Sequence, residues 1–295
     1  MPEHPPHLIP TLGVDTRDWI FGDPAGQPVI LVHGFRGDHH GLQGIAEGLA
    51  ALAPQFAFHV PDLPGFGETP ALPGRTHDLA TFGDWLVAFS QEVAPAGAII
   101  LGHSFGSLVV SSALARGADS ARTILINPIS SPALEGPQAA LTQLAIAYYR
   151  AASALPERAA KSLLGNKLIV RGMSEVMAKT RDRELRAWIH NQHDMYFSSF
   201  SDSRTLLEAF RASVSHTVSE HAEAYAMPTL IIAGEKDDIT PLSKQLDLQR
   251  MIPGAELLIL PGTGHLVHYE AVADTVARIA QFLQAAPATA PETTA

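Results

Sequence analysis

Short apolar runs punctuate the two ends of the chain. They are PVILVH (28–33), FAFHV (56–60), AIILG (98–102), TILIN (123–127), TLIIAG (229–234) and LLIL (257–260). Several are continuously apolar rather than alternating, the pattern of strands buried on both faces of a parallel sheet. Segments of helical periodicity fall at 41–53, 77–93, 105–116, 242–251 and 269–284. Strands alternating with helices predict an α/β fold: a doubly wound sheet with right-handed crossovers. Residues 8–22 predict an antiparallel hairpin at the sheet edge.

Residues 128–227 break this rhythm. Their apolar positions follow helical spacing in 137–155, 156–165, 174–195 and 203–225, and KLIVRG (167–172) is the one candidate strand. Ligands of open α/β sheets bind at the carboxyl ends of the strands, and this all-helical insert begins at such an end. It is therefore expected to cap the sheet's working edge. The expected organisation is a core of 1–127 and 228–285, a helical cap of 128–227, and an Ala/Pro/Thr-rich disordered tail of 286–295.

One apolar run leads into Gly102-His103-Ser104-Phe105-Gly106, of the form G-x-S-x-G. A strand before and a helix after are what a serine nucleophile on a sharp turn requires. A serine hydroxyl is a weak nucleophile until a base takes its proton, so a histidine and an acid should follow in the order Ser, Asp, His. Asp237 stands in the loop after TLIIAG and His265 in the loop after LLIL. Asp238 and His268 compete for the two roles. The count from Gly234 favours Asp237, and the preceding Gly262-Thr263-Gly264 favours His265. His33 precedes the serine and is expected to be a buried, structural hydrogen-bonder.

Acyl transfer also needs N–H donors aimed at the developing oxyanion. The residue after the nucleophile, Phe105, supplies one, and the loop His33-Gly34-Phe35 after the first apolar strand offers the N–H of Phe35. PDLPGFGET (61–69) is a second glycine-rich loop. It lacks both G-x-x-x-x-G-K-[ST] and the third glycine of a dinucleotide site, and Asp62 is expected to tie it to the backbone.

Together HGF, DLPGFGET, GHSFGS, GEKDDITP and PGTGHLVHYE resemble the α/β-hydrolase superfamily in its capped branch, over roughly 8–127 and 228–284. The resemblance implies an eight-stranded, mostly parallel sheet with a helical lid after the sixth strand. It implies Ser104 as nucleophile, Asp237 as acid, His265 as base, and Phe35 and Phe105 as oxyanion donors. Ser104 argues against the dehalogenases and epoxide hydrolases of this superfamily, which carry an aspartate at the elbow. The carbon–carbon bond hydrolases of meta-cleavage pathways show an S-M-G-G elbow and a tryptophan after the histidine, where Phe105, Ser107 and Leu266 stand here. The sequence looks most like a carboxylesterase, cleaving an ester, lactone or thioester. A carbon–carbon hydrolase and a non-catalytic ligand-binding protein on the same scaffold are the alternatives.

Composition narrows the partners. Twenty Lys and Arg against 30 Asp and Glu give a net charge of −10, which disfavours nucleic acid and anionic membranes. No apolar run reaches the length of a membrane span, and no secretory signal opens the chain, so a cytoplasmic protein is expected. With no cysteine there is no thiol nucleophile or thiolate metal site. The 14 histidines include the close pairs His39/His40, His190/His193 and His265/His268, but H-E-x-x-H is absent and no metal or other cofactor is expected. The expected partner is a small molecule with an apolar acyl group. Trp188, Tyr196, Phe197 and Phe200 of the insert are candidates to line its pocket.

Overall fold

The computed structural model describes residues 5–133 and 139–285; the tail expected to be disordered lies outside them. Eight strands form one sheet: β1 (His7–Thr11), β2 (Val14–Gly22), β3 (Gln27–Val32), β4 (Phe56–Pro61), β5 (Ala98–His103), β6 (Ser120–Ile126), β7 (Thr229–Gly234) and β8 (Glu256–Leu260). Their spatial order is β1-β2-β4-β3-β5-β6-β7-β8. The first two strands make the antiparallel hairpin, turning through Leu12 and Gly13, both at positive φ as a two-residue hairpin requires. From β4 to β8 every neighbouring pair is parallel. The continuously apolar runs have the expected cause: every residue of β4, β5 and β7 is buried.

Helices cover both faces. On one, α1 (His40–Leu52) lies near α11 (Val272–Gln284), and their apolar stripes close over Val29, Leu31 and Leu101. On the other, α2 (Leu79–Val93), α3 (Phe105–Ala115) and α9 (Leu242–Met251) bury Ile30, Val32 and Ile100. The expected helix 269–284 is divided into α10 (Val267–Glu270) and α11, because Ala271 leaves helical geometry at φ −139°.

Among the described residues five helices lie between β6 and β7: α4 (Ala139–Ser153), α5 (Glu157–Leu164), α6 (Lys167–Met177), α7 (Arg183–Tyr196) and α8 (Ser203–Ser215), followed by a 3-10 turn at Val218–Ala224. KLIVRG is helical. The Asn166 side-chain oxygen caps α6 by accepting from the N–H groups of Leu168 and Ile169, and the helix buries only Val170 and Ser174. A strand would need an apolar partner face that Leu168, at 84% exposed, does not have. The expected helix 174–195 breaks at 178–182 because the Glu270 carboxylate takes the N–H groups of Lys179 and Thr180 out of the helical ladder. Asp182 then caps α7. Among the described residues no helix is long and apolar enough to cross a membrane.

Candidate active site

The turn from β5 into α3 is made at Ser104, whose backbone stands at φ 52°, ψ −117°. Few non-glycine residues adopt positive φ, and such a strained position costs about 1–3 kcal/mol. The flanking glycines are there for space. A Cβ on Gly102 would come within 2.6 Å of the Gly106 carbonyl oxygen, and one on Gly106 within 2.1 Å of the Val32 carbonyl oxygen. Ser107 locks the turn by donating to the Ser104 carbonyl (2.5 Å) and accepting from the Ile129 N–H (3.1 Å).

His265 lies between the serine and an acid. Its Nε2 is 2.8 Å from Ser104 Oγ and its Nδ1 is 2.7 Å from Asp237 Oδ2. An ionised carboxylate can only accept, so Nδ1 carries the proton and Nε2 is free to accept from the serine. The Asp237 carboxylate also accepts from the N–H groups of Ile239 (2.8 Å) and Thr240 (3.0 Å) and the Thr240 hydroxyl (2.5 Å). Burial alone would raise its pKa. The charge of His265 and the bonds from His265 and Thr240 outweigh burial, and the net shift is downward.

The competing residues line the same cavity but stand outside the relay. Asp238 is exposed and pairs with Lys179 at 2.6 Å. His268 lies on α10, its ring 4.1 Å from that of His103; burial, then the neighbouring rings of His103, His193 and His265, hold its pKa well below the ordinary value. His33 accepts from the Leu63 N–H at Nε2 (2.9 Å) and bonds the Gly34 carbonyl through Nδ1 (2.9 Å), the buried structural part expected of it. Asp62 ties its loop as expected, accepting from the N–H groups of His39 and Glu68, both at 2.7 Å.

Two residues that position the site escaped the sequence reading. Asn127, just past β6, accepts from the Gly234 N–H and donates to the Gly264 carbonyl, both at 3.0 Å, so it joins the loops of Asp237 and His265. Glu270 accepts from the Gly264 N–H (2.8 Å) with one oxygen and from Lys179 and Thr180 with the other. The available signals were an asparagine at a strand's carboxyl end and an acid five residues past the histidine.

Gly34 brings the neighbouring loop against the elbow: a Cβ there would be 3.1 Å from His103 Nδ1 and 3.4 Å from Ser104 Cβ. Among the described residues the Phe35 N–H donates to no protein acceptor. The Phe105 N–H opens α3 and has no intrahelical acceptor.

A cavity of about 820 Å3 opens over Ser104 and His265. Core loops form one wall. Met173, Met177, Phe197, Phe210 and Val214 from the helices between β6 and β7 contribute to the other. Among the described lining residues none is Lys or Arg. Of the aromatic candidates Phe197 lines the cavity, and the other three are spent on contacts elsewhere. Trp188 is 46% exposed and stands edge-on to Tyr269. Tyr196 stacks on His40 at 3.6 Å, and the Phe200 ring lies 5.8 Å from the Arg36 guanidinium. Asp38, His39 and His40 bring ligand atoms within 4.8 Å of one another, but both rings are stacked and hydrogen-bonded to carboxylates.

The chain is 28% identical over 270 residues to a dihydrolipoyllysine-residue acetyltransferase component of an acetoin cleaving system from Pseudomonas putida, covering 91% of this chain and 66% of that protein's length. It is 26% identical over 254 residues to a pimeloyl-[acyl-carrier protein] methyl ester esterase from Aeromonas salmonicida, covering 81% and 89% of the two chains. An esterase from Exiguobacterium antarcticum has the same fold, with a TM-score of 0.77 at 17% identity over 95% of this chain and all of that one. Residues 29–279 match the alpha/beta hydrolase family, and the chain belongs to it.

Proposed function

We propose that the protein is a serine hydrolase of small carboxylic esters, with Ser104 as nucleophile, His265 as base and Asp237 as the acid that orients it. The observation that carries this reading is the relay of 2.8 Å and 2.7 Å hydrogen bonds from Ser104 through His265 to Asp237. The named ester hydrolase among its relatives supports the choice of bond. We assign residues 128–227 as the cap that selects the substrate over a core of 1–127 and 228–285. A wall of Met, Phe and Val, with no Lys or Arg among the described lining residues, suits an uncharged apolar acyl group.

In the first half-reaction His265 Nε2 takes the Ser104 proton as Oγ bonds to the ester carbon. The carbonyl electrons move onto the oxygen, which the N–H groups of Phe35 and Phe105 receive. The bond to the alkoxide breaks, and His265 returns its proton to that leaving oxygen. In the second half water gives a proton to His265 as its oxygen attacks the acyl carbon, and His265 passes that proton to Ser104 Oγ as the acyl–Oγ bond breaks, releasing the acid and restoring Ser104. Asp237 stabilises the imidazolium at both stages.

The test is covalent. A fluorophosphonate should label the wild type at Ser104, and short p-nitrophenyl esters should turn over. Ser104→Ala should do neither, a loss of roughly 10^4-fold or more. A folded wild type that resists labelling and hydrolyses none of a panel of esters, lactones and thioesters would refute the assignment. Turnover of vinylogous diketones alone would move the reaction to carbon–carbon cleavage.

A further inference from the structure

Arg36 follows directly on the loop residue Phe35, at φ 63°, and is only 1% exposed. Its side chain points away from the cavity and into the helical insert. Nε donates to the Phe197 carbonyl at the end of α7 (3.0 Å), and Nη2 to the Leu164 carbonyl at the end of α5 (2.8 Å) and to Ser198 Oγ (3.3 Å). Nη1 donates to the Tyr149 hydroxyl on α4 (3.3 Å). The guanidinium also lies 5.1 Å from the Phe197 ring centroid and 5.8 Å from that of Phe200. Every one of these partners is neutral, and among the described residues no carboxylate lies within ion-pair distance of it. A buried cation without a counter-ion is costly, so its contacts must be well formed to hold it. Arginine's rigid fork can reach three helices from one point; lysine's single ammonium cannot.

Phe35 reinforces the connection from the other side. Its ring meets Phe105, the first residue past the nucleophile, at 6.4 Å and meets Tyr149 and Phe210 of the insert at 6.0 and 5.5 Å. Tyr149 therefore touches both members of the Phe35-Arg36 pair. Gly34 is already pressed against Ser104 from below. The loop is held between the elbow and the insert, and among the described residues the hydrogen bonds of its upper attachment come from the Arg36 side chain.

We propose that Arg36 is the positioning residue of the oxyanion hole: by clamping the loop to α4, α5 and α7 it aims the Phe35 N–H at the reacting carbonyl oxygen. The inference rests on the assignment of that N–H as a donor. It makes the insert part of the rate-setting machinery as well as of the substrate wall, because displacing α5 or α7 displaces the donor.

The experiment compares Arg36→Met with the wild type on one ester, and on two inhibitors of the same acyl chain. A trifluoromethyl ketone forms a tetrahedral adduct that needs the oxyanion donors; a saturated hydrocarbon analogue only fills the pocket. Loss of one donor costs about 10^2–10^3-fold, and a misaimed one should cost about 10–100-fold. The expected result is a fall of that size in kcat and in trifluoromethyl ketone affinity, with KM and hydrocarbon affinity within about threefold. Should Arg36→Met fail to fold, Arg36→Lys gives the same readouts, with an intermediate loss expected. A folded variant with wild-type kcat and trifluoromethyl ketone affinity overturns the proposal, as does one that loses affinity for both inhibitors equally. Either result leaves Ser104 labelling intact, and so is distinct from failure of the hydrolase assignment.

Discussion

The two walls of the cavity are built in different ways. The core wall is set by backbone. Gly34, Gly102, Gly106 and Gly234 each sit where an added Cβ would press on a neighbouring atom, and the side chains that matter are fixed by short hydrogen bonds. The helical wall is set by side chains. Gly172 lines the same cavity from α6, yet a Cβ there would meet nothing within 4 Å. Neighbouring Val176 lines the cavity while 66% exposed. The first wall is suited to holding reacting atoms in one geometry. The second is suited to accepting a range of apolar shapes, except where Arg36 ties it to the core. Substitutions should therefore change rate on the core side and preference on the helical side.

The sharpest form of this contrast lies between adjacent residues. Asp237→Asn should lower kcat by about 10^4-fold, because the amide no longer fixes the His265 tautomer. Asp238→Asn should change it by less than about threefold, since an exposed pair with Lys179 contributes roughly 0–1 kcal/mol. Steady-state kinetics on the pair decides the matter. Equal losses would mean that the position of the acid along the loop is not what determines its role.

Glycines extend the contrast to stability. Gly106→Ala forces a methyl group to 2.1 Å from Val32 O and 2.8 Å from His33 O, both backbone atoms that cannot rotate away. A loss of about 3–5 kcal/mol is expected by urea unfolding, together with activity. Gly172→Ala fills open space in a helix interior and should stabilise by about 0.5–1 kcal/mol. A well-tolerated Gly106→Ala would show that the elbow is looser than its contacts imply.

This division also explains what the chain disclosed in one dimension. The core wall was legible because its constraints fall on glycine and on strand periodicity, both visible as letters: the elbow, the loop ending in Phe35, and Asp237 and His265 in order. What stayed hidden depends on contacts distant in sequence. Asn127 joins loops 107 and 137 residues away. Glu270 ends a helix 90 residues earlier. In the insert, helical spacing was visible but facing was not. Aromatic residues on an amphipathic helix serve its own packing or a ligand with the same letters, so Phe197 and Tyr196 could not be told apart. Nothing in the sequence around Arg36 marks it as buried, and only folding shows that it is.

Both walls bury neutral histidines, which makes stability a probe of each. Burial lowers His103 to about 3, assisted by the charge of His265, and burial lowers His193 to about 4, assisted by His190. The unfolded chain takes up these protons near pH 6.5 and the folded chain does not. Stability therefore holds above that pH and is lost as the pH falls toward the folded values, by about 1.4 kcal/mol per pH unit for each group. His193→Gln should remove its share of that slope between about pH 6.5 and 4. His103→Gln should remove its share down to about pH 3. Urea titrations across this range measure both, and unchanged slopes in the two variants would mean that these rings are protonated in the folded protein.

Trp188 should show the smallest effect. Sequence alone made it a candidate for the pocket, yet its indole stands edge-on to Tyr269, 5.3 Å between centroids and nearly perpendicular, on the outer side of α7. Tyr269 lines the cavity and Trp188 does not. The indole thus backs a residue of the wall without reaching a ligand. Trp188→Ala should leave kcat and KM within about twofold and cost about 1 kcal/mol of stability, the usual worth of an aromatic pair with a partly exposed member. Phe197→Ala, just past the carboxyl end of the same helix but lining the cavity, should instead raise KM severalfold for longer acyl chains while sparing short ones. If Trp188→Ala shifts chain-length preference as Phe197→Ala does, the indole reaches the substrate, and the helical wall is more mobile than its packing indicates.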